Sequence, residues 1–152
     1  MKQKIPRIYL DNCCYNRPYD KQNDEIISAE TSAKISVQDM IRSGKLTLAS
    51  SFMLRYEISK SPNRTAKRQI MDFVDIYASH FEDYDVLPVI RGKIEEIMSE
   101  GIKYKDACHV AYAEYMNCDY FLSTDKRLLK YKSNALRLLN PVEFVKIIKE
   151  EY

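Results

Sequence analysis

Short apolar runs and stretches with helical spacing alternate along the chain. The runs predict strands, and apolar positions three and four residues apart predict amphipathic helices. The predicted strands cover residues 7–10, 46–49, 84–89 (a strand or an extended loop), 120–122 and 136–139. The predicted helices cover residues 25–43, 52–61, 63–80, 90–100, 103–116 and 141–149, with a loop over 13–24 and a short basic helix or turn over 126–132. This alternation predicts an α/β fold, in which a small parallel sheet of four to five strands lies between helices.

The stretch at residues 103–126 organises the rest of the chain. Asp106 lies in the first turn of its helix, among small and apolar residues that let the helix pack closely against a sheet. The strand that follows ends at Leu122, and Asp125 comes shortly after it. In open α/β sheets, the carboxyl ends of parallel strands meet at one crevice, and ligands and functional residues are usually found there. We therefore expect Asp125 to lie in that crevice.

The composition is typical of a globular protein. The chain has 152 residues, of which 30% are charged and 45% apolar, and its length fits one domain over residues 1–152. No apolar run approaches the roughly 20 residues that span a bilayer, and residues 1–12 lack a signal-peptide core. We therefore expect a cytoplasmic protein without a membrane segment. Because the net charge is only +2, nucleic-acid binding would have to rest on local basic patches.

The four cysteines form no paired C-x-x-C unit. They are Cys13, Cys14, Cys108 and Cys118. This spacing is unlike that of a zinc site, and a disulfide framework is not expected in a chain of this size without a secretion signal. We interpret the cysteines as buried or partly buried free thiols.

Four acidic residues occupy positions that the predicted fold could bring together. Asp11 follows the first strand, and Asp125 follows a later one. Glu57 lies inside a helix, and Asp106 lies near the start of another. Taken singly, each is explained as a helix cap or a solvent-facing charge. Glu57 and Asp106 are more informative, because an acid among apolar helix positions needs a partner.

Four converging carboxylates would repel one another unless a cation lay between them. An all-oxygen site suits the hard divalent cations Mg²⁺ and Mn²⁺. One such ion, or two about 3.5–4 Å apart, can activate water and stabilise the attacking and leaving oxygens of a phosphodiester. The sequence therefore indicates a metal-dependent nuclease. Its predicted catalytic and metal-binding residues are Asp11, Glu57, Asp106 and Asp125.

Four short motifs, in order along nearly the full chain, resemble the PIN domain, the metal-dependent ribonuclease fold of VapC-type toxins in type II toxin–antitoxin systems. The motifs are YLDNCCYNRP, FMLRYEISKSP, YKDACHVAYAE and FLSTDKRLL, and each contributes one acid. The resemblance implies a PIN-like three-layer sandwich that hydrolyses RNA and leaves a 5′-phosphate and a 3′-hydroxyl. It implies an RNA substrate, a cognate antitoxin protein and a homodimeric toxin. It also implies that Asn12 and Thr124 are supporting polar groups.

Basic residues beside the acidic motifs are the expected phosphate contacts, because an acidic cluster alone repels RNA. They are Arg17, Lys105, Lys126 and Arg127. Plain surface charge explains each of them equally well. His109 follows Asp106 by one helical turn, but we interpret it as a packed side chain rather than a base, because the metal already activates water.

Other classes of function stay open. A noncatalytic RNA- or protein-binding module could keep the acids for structural metal binding. A phosphatase with Asp11 as nucleophile is disfavoured, because Cys13 stands where a D-x-D motif has its second acid. A phosphate-accepting receiver domain also begins with acids at strand ends, but it gives Glu57 and Asp106 no role. The nuclease hypothesis uses all four acids.

Overall fold

A computed structural model describes residues 4–151 of the chain. Residues 1–3 and 152, which the predicted domain 1–152 includes, lie outside the described residues. The strands in the described part are β1 (Arg7–Leu10), β2 (Thr47–Ser51), β3 (Ala78–Glu82), β4 (Tyr120–Leu122) and β5 (Arg137–Leu139). Its α-helices are α1 (Asn12–Asn16), α2 (Glu25–Arg42), α3 (Phe52–Ser59), α4 (Arg64–Tyr77), α5 (Leu87–Met98), α6 (Tyr104–Tyr115) and α7 (Pro141–Glu151). None of the helices within residues 4–151 has both the length and the apolar character that crossing a membrane requires.

The strands form one parallel sheet in the order β3-β2-β1-β4-β5. The central strand β1 pairs with β2 on one side and with β4 on the other. In the β1–β4 pair, Tyr9 lies opposite Phe121 and Leu10 lies opposite Leu122. Because the two strands run in the same direction, the residues that follow them emerge at the same edge of the sheet. The predicted parallel α/β architecture is thus confirmed.

Each face of the sheet is covered by its own apolar core. Tyr9 points to a core shared with α5 and α6, whereas Ile8 and Leu10 point to a core shared with α2, α4 and α7. This alternation follows from the two-residue period of a strand. All three side chains are fully buried, as expected for the central strand of a parallel sheet that is covered on both faces.

Side-chain caps fix where several helices begin. The Asp24 side chain accepts a hydrogen bond from the backbone N–H of Ile26 at the start of α2, and Ser51 accepts one from Leu54 at the start of α3. Aspartate and serine are among the residues preferred at this position, because their side-chain oxygens accept from the free N–H groups of the first turn. Gly44, just after α2, has a φ of +79°, a conformation that glycine adopts without strain at the end of a helix.

Two segments differ from the prediction. The third strand is not residues 84–89, which form a 3₁₀ turn at Tyr84–Val86 and the start of α5; it is β3, which falls partly inside the predicted helix 63–80. β3 lies at the sheet edge and alternates between partly buried and exposed residues, so it has no strong apolar run. The predicted loop 13–24 instead begins within α1 and continues as a 3₁₀ turn at Arg17–Tyr19.

The cysteines are free thiols, as interpreted from the sequence. Cys13 is partly exposed, and Cys14, Cys108 and Cys118 are buried. The Cys14 thiol contacts the carbonyl oxygen of Leu122 at 3.3 Å, so it packs under the edge at which β1 and β4 end.

Candidate active site

Asp11 lies where the central strand ends, and its carboxylate is held from two sides. Its Oδ1 accepts a hydrogen bond from the backbone N–H of Asn12 at 2.8 Å, which begins α1. Its Oδ2 accepts one from the Ser123 hydroxyl at 2.9 Å, and its own backbone N–H donates to the carbonyl of Leu122 at 2.9 Å. Only 7% of the side chain is exposed. The adjacent ends of β1 and β4 therefore fix this acid in place.

Ser123 connects Asp11 to Asp125. The same hydroxyl that donates to Asp11 accepts a hydrogen bond from the backbone N–H of Asp125 at 3.1 Å. The Asp125 carboxylate accepts one from the backbone N–H of Arg127 at 2.9 Å, and the residue is exposed. Two acids far apart in the chain are thus joined through one buried serine at the strand ends.

Glu57 is held beside Asp11 by a buried chain of hydrogen bonds. Its carboxylate contacts Nε2 of His109, and Nδ1 of His109 lies 2.6 Å from the Tyr9 hydroxyl. That hydroxyl lies 2.6 Å from the hydroxyl of Ser51. His109 is fully buried, and its Nε2 is 4.0 Å from Oδ1 of Asp11. The histidine is therefore packed against the sheet, in line with its interpretation as a packed side chain, but it also positions an acid.

Burial and charge oppose each other on the His109–Glu57 pair. Burial disfavours the charged form of His109, but the hydrogen bond that His109 donates to Glu57 and the charge of Asp11 outweigh it, so the pKa of His109 lies above its ordinary value. Burial also disfavours the Glu57 carboxylate, but its hydrogen bond with His109 outweighs this effect, so the pKa of Glu57 lies below its ordinary value. The two groups stabilise each other as an ion pair.

Asp106, in the first turn of α6, is destabilised as a carboxylate by burial and by the other acids. Burial is the largest cause that raises its pKa. The charge of Asp11 adds to this effect, and Asp125 and Glu57 contribute further, so that the pKa is about 6. No described residue donates a hydrogen bond to its side chain. The four predicted acids thus come from four separate segments and lie within electrostatic reach of one another.

The carboxylates are close neighbours without forming a closed ligand shell. Among residues 4–151, no three His, Cys, Asp or Glu side chains meet as a ready-made metal site. The four acids also have no ion pair with a described lysine or arginine; the ion-pair partner of Asp11 and Glu57 is His109. Mg²⁺ usually binds through one or two carboxylates and keeps several waters, so the chemistry of this donor set fits such an ion.

An open pocket of about 620 Å³ lies beside two of the acids. Asp106 and Asp125 line it, together with the basic residues Lys103, Lys126, Arg127 and Lys130. Two of the four predicted phosphate contacts, Lys126 and Arg127, are therefore next to the acids in space as well as in sequence.

The other two predicted phosphate contacts have different surroundings. Arg17 forms ion pairs with Glu30 and Asp20, both at 2.8 Å. Lys105 is exposed, its Nζ lies 5.6 Å from the centre of the Tyr56 ring, and its charge acts on Glu57. The charge of Arg17 is therefore balanced by two acids, whereas the charge of Lys105 acts on an acid of the candidate site.

The two predicted supporting groups are also at the site. Nδ2 of Asn12 donates to the Glu57 carboxylate at 3.4 Å. The backbone N–H of Thr124 donates to the Cys13 thiol at 3.3 Å. Ser123, which precedes Thr124, was not among the predicted residues, although its hydroxyl donates the hydrogen bond to Asp11. Ser123 stands in the same strand-end motif as Thr124, so the sequence marked both residues as candidates. Which of the two contacts Asp11 depends on which side chain points toward β1.

Comparison with known proteins identifies the fold but not the family. No family model matches the sequence, and no curated protein matches it. The structure is similar to a chain of the crystal structure of VapBC2 from Rickettsia felis bound to a DNA fragment from their promoter. The TM-score is 0.54 at 15% sequence identity, over 88% of this chain and 98% of that chain. The fold is PIN-like. At this identity the likeness concerns the PIN-like fold alone, which agrees with the expected parallel sheet of four to five strands between helices.

Proposed function

We propose that this protein is a Mg²⁺- or Mn²⁺-dependent endoribonuclease and the toxin of a toxin–antitoxin pair. The observation that carries the proposal is the convergence of four carboxylates at the carboxyl edge of the sheet, where chemistry gathers in α/β folds. Burial, together with the charges of the other three acids, raises the pKa of Asp106 to about 6, and no described lysine or arginine pairs with the four carboxylates. A cluster of this kind is poised for a divalent cation.

Asp11, Glu57, Asp106 and Asp125 would hold the ion, directly or through water. When bound, the ion supplies positive charge that activates water and stabilises the leaving oxygen of a phosphodiester. The protein's own contribution is preorganisation. Ser123 fixes Asp11, and His109 fixes Glu57 while remaining fully buried. Because these contacts exist before substrate binds, little reorganisation is needed at the moment of reaction.

The basic pocket beside the acids supports RNA as the substrate. Four lysine and arginine side chains line it together with Asp106 and Asp125. Phosphate binding by such side chains supplies most of the sequence-independent affinity for nucleic acid. The pocket would hold the RNA backbone next to the carboxylates, which repel it on their own.

The toxin assignment is supported by the PIN-like fold. The structural neighbour is a chain of the VapBC2 complex, and the four sequence motifs resemble VapC-type toxins. We therefore extend the proposal to a cognate antitoxin as protein partner and to a homodimeric, cytoplasmic toxin.

Cleavage of labelled RNA in the presence of Mn²⁺ tests the enzymatic proposal. We expect the wild type to cleave, and we expect chelator, Asp11→Asn and Asp106→Asn each to abolish cleavage while the fold is retained. Asp72→Asn is the matched control, because Asp72 is an exposed aspartate on α4, and it should cleave like the wild type. Equal cleavage by wild type and Asp11→Asn would refute the proposal and point to a contaminating nuclease.

One observation favours a second candidate, a noncatalytic PIN-like module that binds RNA or protein. No three potential ligands meet as a closed metal site among residues 4–151. A module of this kind would bind RNA with unchanged affinity after Asp11→Asn, and wild type would leave the RNA intact in Mn²⁺ and in Mg²⁺. Metal-dependent cleavage by wild type excludes it.

A further inference from the structure

Lys34, on α2, is a buried cation without an anionic partner. Only 4% of it is exposed, and lysine is almost never buried to this extent unless it is paired. Among the described residues, none forms an ion pair or a hydrogen bond with its ammonium group. Glu30, one turn earlier on the same helix, pairs with Arg17 at 2.8 Å instead. The fold therefore leaves the charge of Lys34 uncompensated.

The groups around the ammonium group of Lys34 do not replace an anion. Its Nζ lies 5.8 Å from the centre of the Tyr15 ring, which offers it only the weak negative charge of an aromatic face. The hydroxyl of Tyr15 is itself buried without a hydrogen-bond partner among the described residues. Burial lowers the pKa of Lys34 to about 8, and the charge of Arg42 adds to this effect. Two neighbouring side chains thus keep unsatisfied polar groups.

Lys34 lines an open pocket of about 440 Å³. The pocket lies between α2, α4 and the 3₁₀ turn at Arg17–Tyr19, and most of its lining is apolar or aromatic, including Pro18, Ile70, Phe73 and Tyr77. A concave, mostly apolar pocket with few polar groups is typical of small-molecule sites. Its lining residues all differ from those of the pocket beside Asp106 and Asp125. It is therefore a second candidate site, separate from the acids.

The charges that line this second pocket favour a ligand with a single negative charge. Arg42, which also lines the pocket, already pairs with Asp39 at 3.1 Å. Asp72, an exposed residue of α4, adds a negative charge to the wall. That charge would repel a doubly charged phosphate more than a monoanion. Lys34 is thus the cation that remains to be balanced, and one carboxylate balances it.

We propose that this pocket binds a small monocarboxylate with an apolar body, whose carboxylate pairs with Lys34. The body of the ligand packs against the rings of Phe73 and Tyr77, and its charge removes the cost of an unpaired buried cation. Because the ammonium group is already largely desolvated in the free protein, binding strips little further water from it. The site goes beyond the proposed ribonuclease function and does not depend on it.

Titration of the ¹⁵N-labelled protein with sodium benzoate, followed by amide NMR shifts at pH 7, tests the proposal. Sodium chloride at equal ionic strength is the blank. We expect saturable shifts at the pocket with a Kd of about 10 mM or tighter, the range for a ligand of this size. Inorganic phosphate should bind more weakly than benzoate.

Lys34→Met is the test variant, because methionine keeps an unbranched side chain and removes only the charge. It should weaken benzoate binding at least about tenfold, as expected for loss of a charged partner. Lys146→Met is the matched control, since Lys146 is an exposed lysine on α7, and it should bind benzoate like the wild type.

The pH dependence of benzoate binding gives a second readout that needs only the wild type. With a pKa of about 8, free Lys34 loses its proton between pH 7 and pH 9, so benzoate affinity should fall about tenfold over this range. Burial raises the pKa of the neighbouring Cys14 thiol and of Tyr15, so both keep their protons there. In Lys34→Met the remaining affinity should not change with pH.

Three results would overturn the proposal. Absence of saturable shifts up to about 50 mM benzoate, well above the weakest expected Kd, would mean that water alone solvates Lys34. Equal benzoate affinity of wild type and Lys34→Met would place the ligand elsewhere. Tighter binding of phosphate than of benzoate would exclude a monocarboxylate as the preferred class. If Lys34→Met does not fold, an affinity of the wild type that stays constant from pH 7 to pH 9 overturns the proposal by itself.

Discussion

Asp106 should destabilise the protein at neutral pH in the absence of metal. Its pKa in the folded protein is about 6, against an ordinary value of 3.8. Between these two values the folded chain binds more protons than the unfolded chain, so stability falls as the pH rises through this window. Above about pH 6 the carboxylate is charged in both states, and the destabilisation is then complete.

The size of this effect follows from the pKa difference. Two pKa units correspond to about 3 kcal/mol. Because the carboxylate is only partly buried, water screens its repulsion from the other acids, and we expect about half of this, roughly 1.5 kcal/mol. Asp106→Asn removes the charge at nearly constant volume. It should therefore raise the melting temperature by roughly 3–6 °C at pH 7.5 in EDTA.

Calorimetric unfolding at two pH values separates this charge effect from a change in packing. At pH 4 the folded wild type already has Asp106 protonated, so Asp106→Asn should gain little there. Saturating Mn²⁺ should stabilise the wild type more than the variant, because only the wild type keeps the carboxylate. The exposed control Asp72→Asn should show neither effect. A variant less stable than wild type at pH 7.5 in EDTA, or an equal gain at both pH values, would refute the reasoning.

Three other substitutions test the contacts around the site. Ser123→Ala removes the hydroxyl that donates to Asp11. It should lower the free energy of unfolding, measured by urea titration, by about 1–3 kcal/mol. A change near zero would mean that water replaces the hydroxyl. His109→Asn cannot bridge Tyr9 and Glu57, and it should cost about 2–3 kcal/mol, whereas wild-type stability would show that this buried chain contributes nothing. Arg17→Gln leaves the Glu30 carboxylate buried without its cation and should cost about 3 kcal/mol, but RNA affinity should not change. A selective loss of RNA affinity in Arg17→Gln would restore Arg17 as a phosphate contact.

The sequence predicted the elements that carry a strong local pattern. β1 and β4 are apolar runs followed by polar strand-end residues, and α6 carries its acid in the first turn, so each was visible in one stretch of the chain. β3 was not, because Ala78–Glu82 lies at the sheet edge with alternating partial exposure. Its strand conformation comes from pairing with β2, a contact that no local pattern records.

The acids of the candidate site were found because strand ends and apolar helix faces mark them. The residues that position them were harder to find. His109 joins Glu57 across 52 positions of sequence, and Ser123 joins Asp11 across 112. These contacts depend on the strand order and on side-chain direction, which spacing along one segment does not contain. His109 was correctly expected to be packed, but its partner Glu57 was not foreseen.

The central place of β1 also determines when during synthesis the site can exist. β1 can pair with β2 soon after both leave the ribosome, but the Asp11 carboxylate gains its Ser123 partner only when β4 joins the sheet, 112 positions later. At about 5–20 residues per second this delay lasts roughly 6–22 seconds. Until then Asp125 and the backbone contact to Leu122 are missing as well. The carboxylate cluster, which is the proposed catalytic site, can therefore form only after β4 has been synthesised.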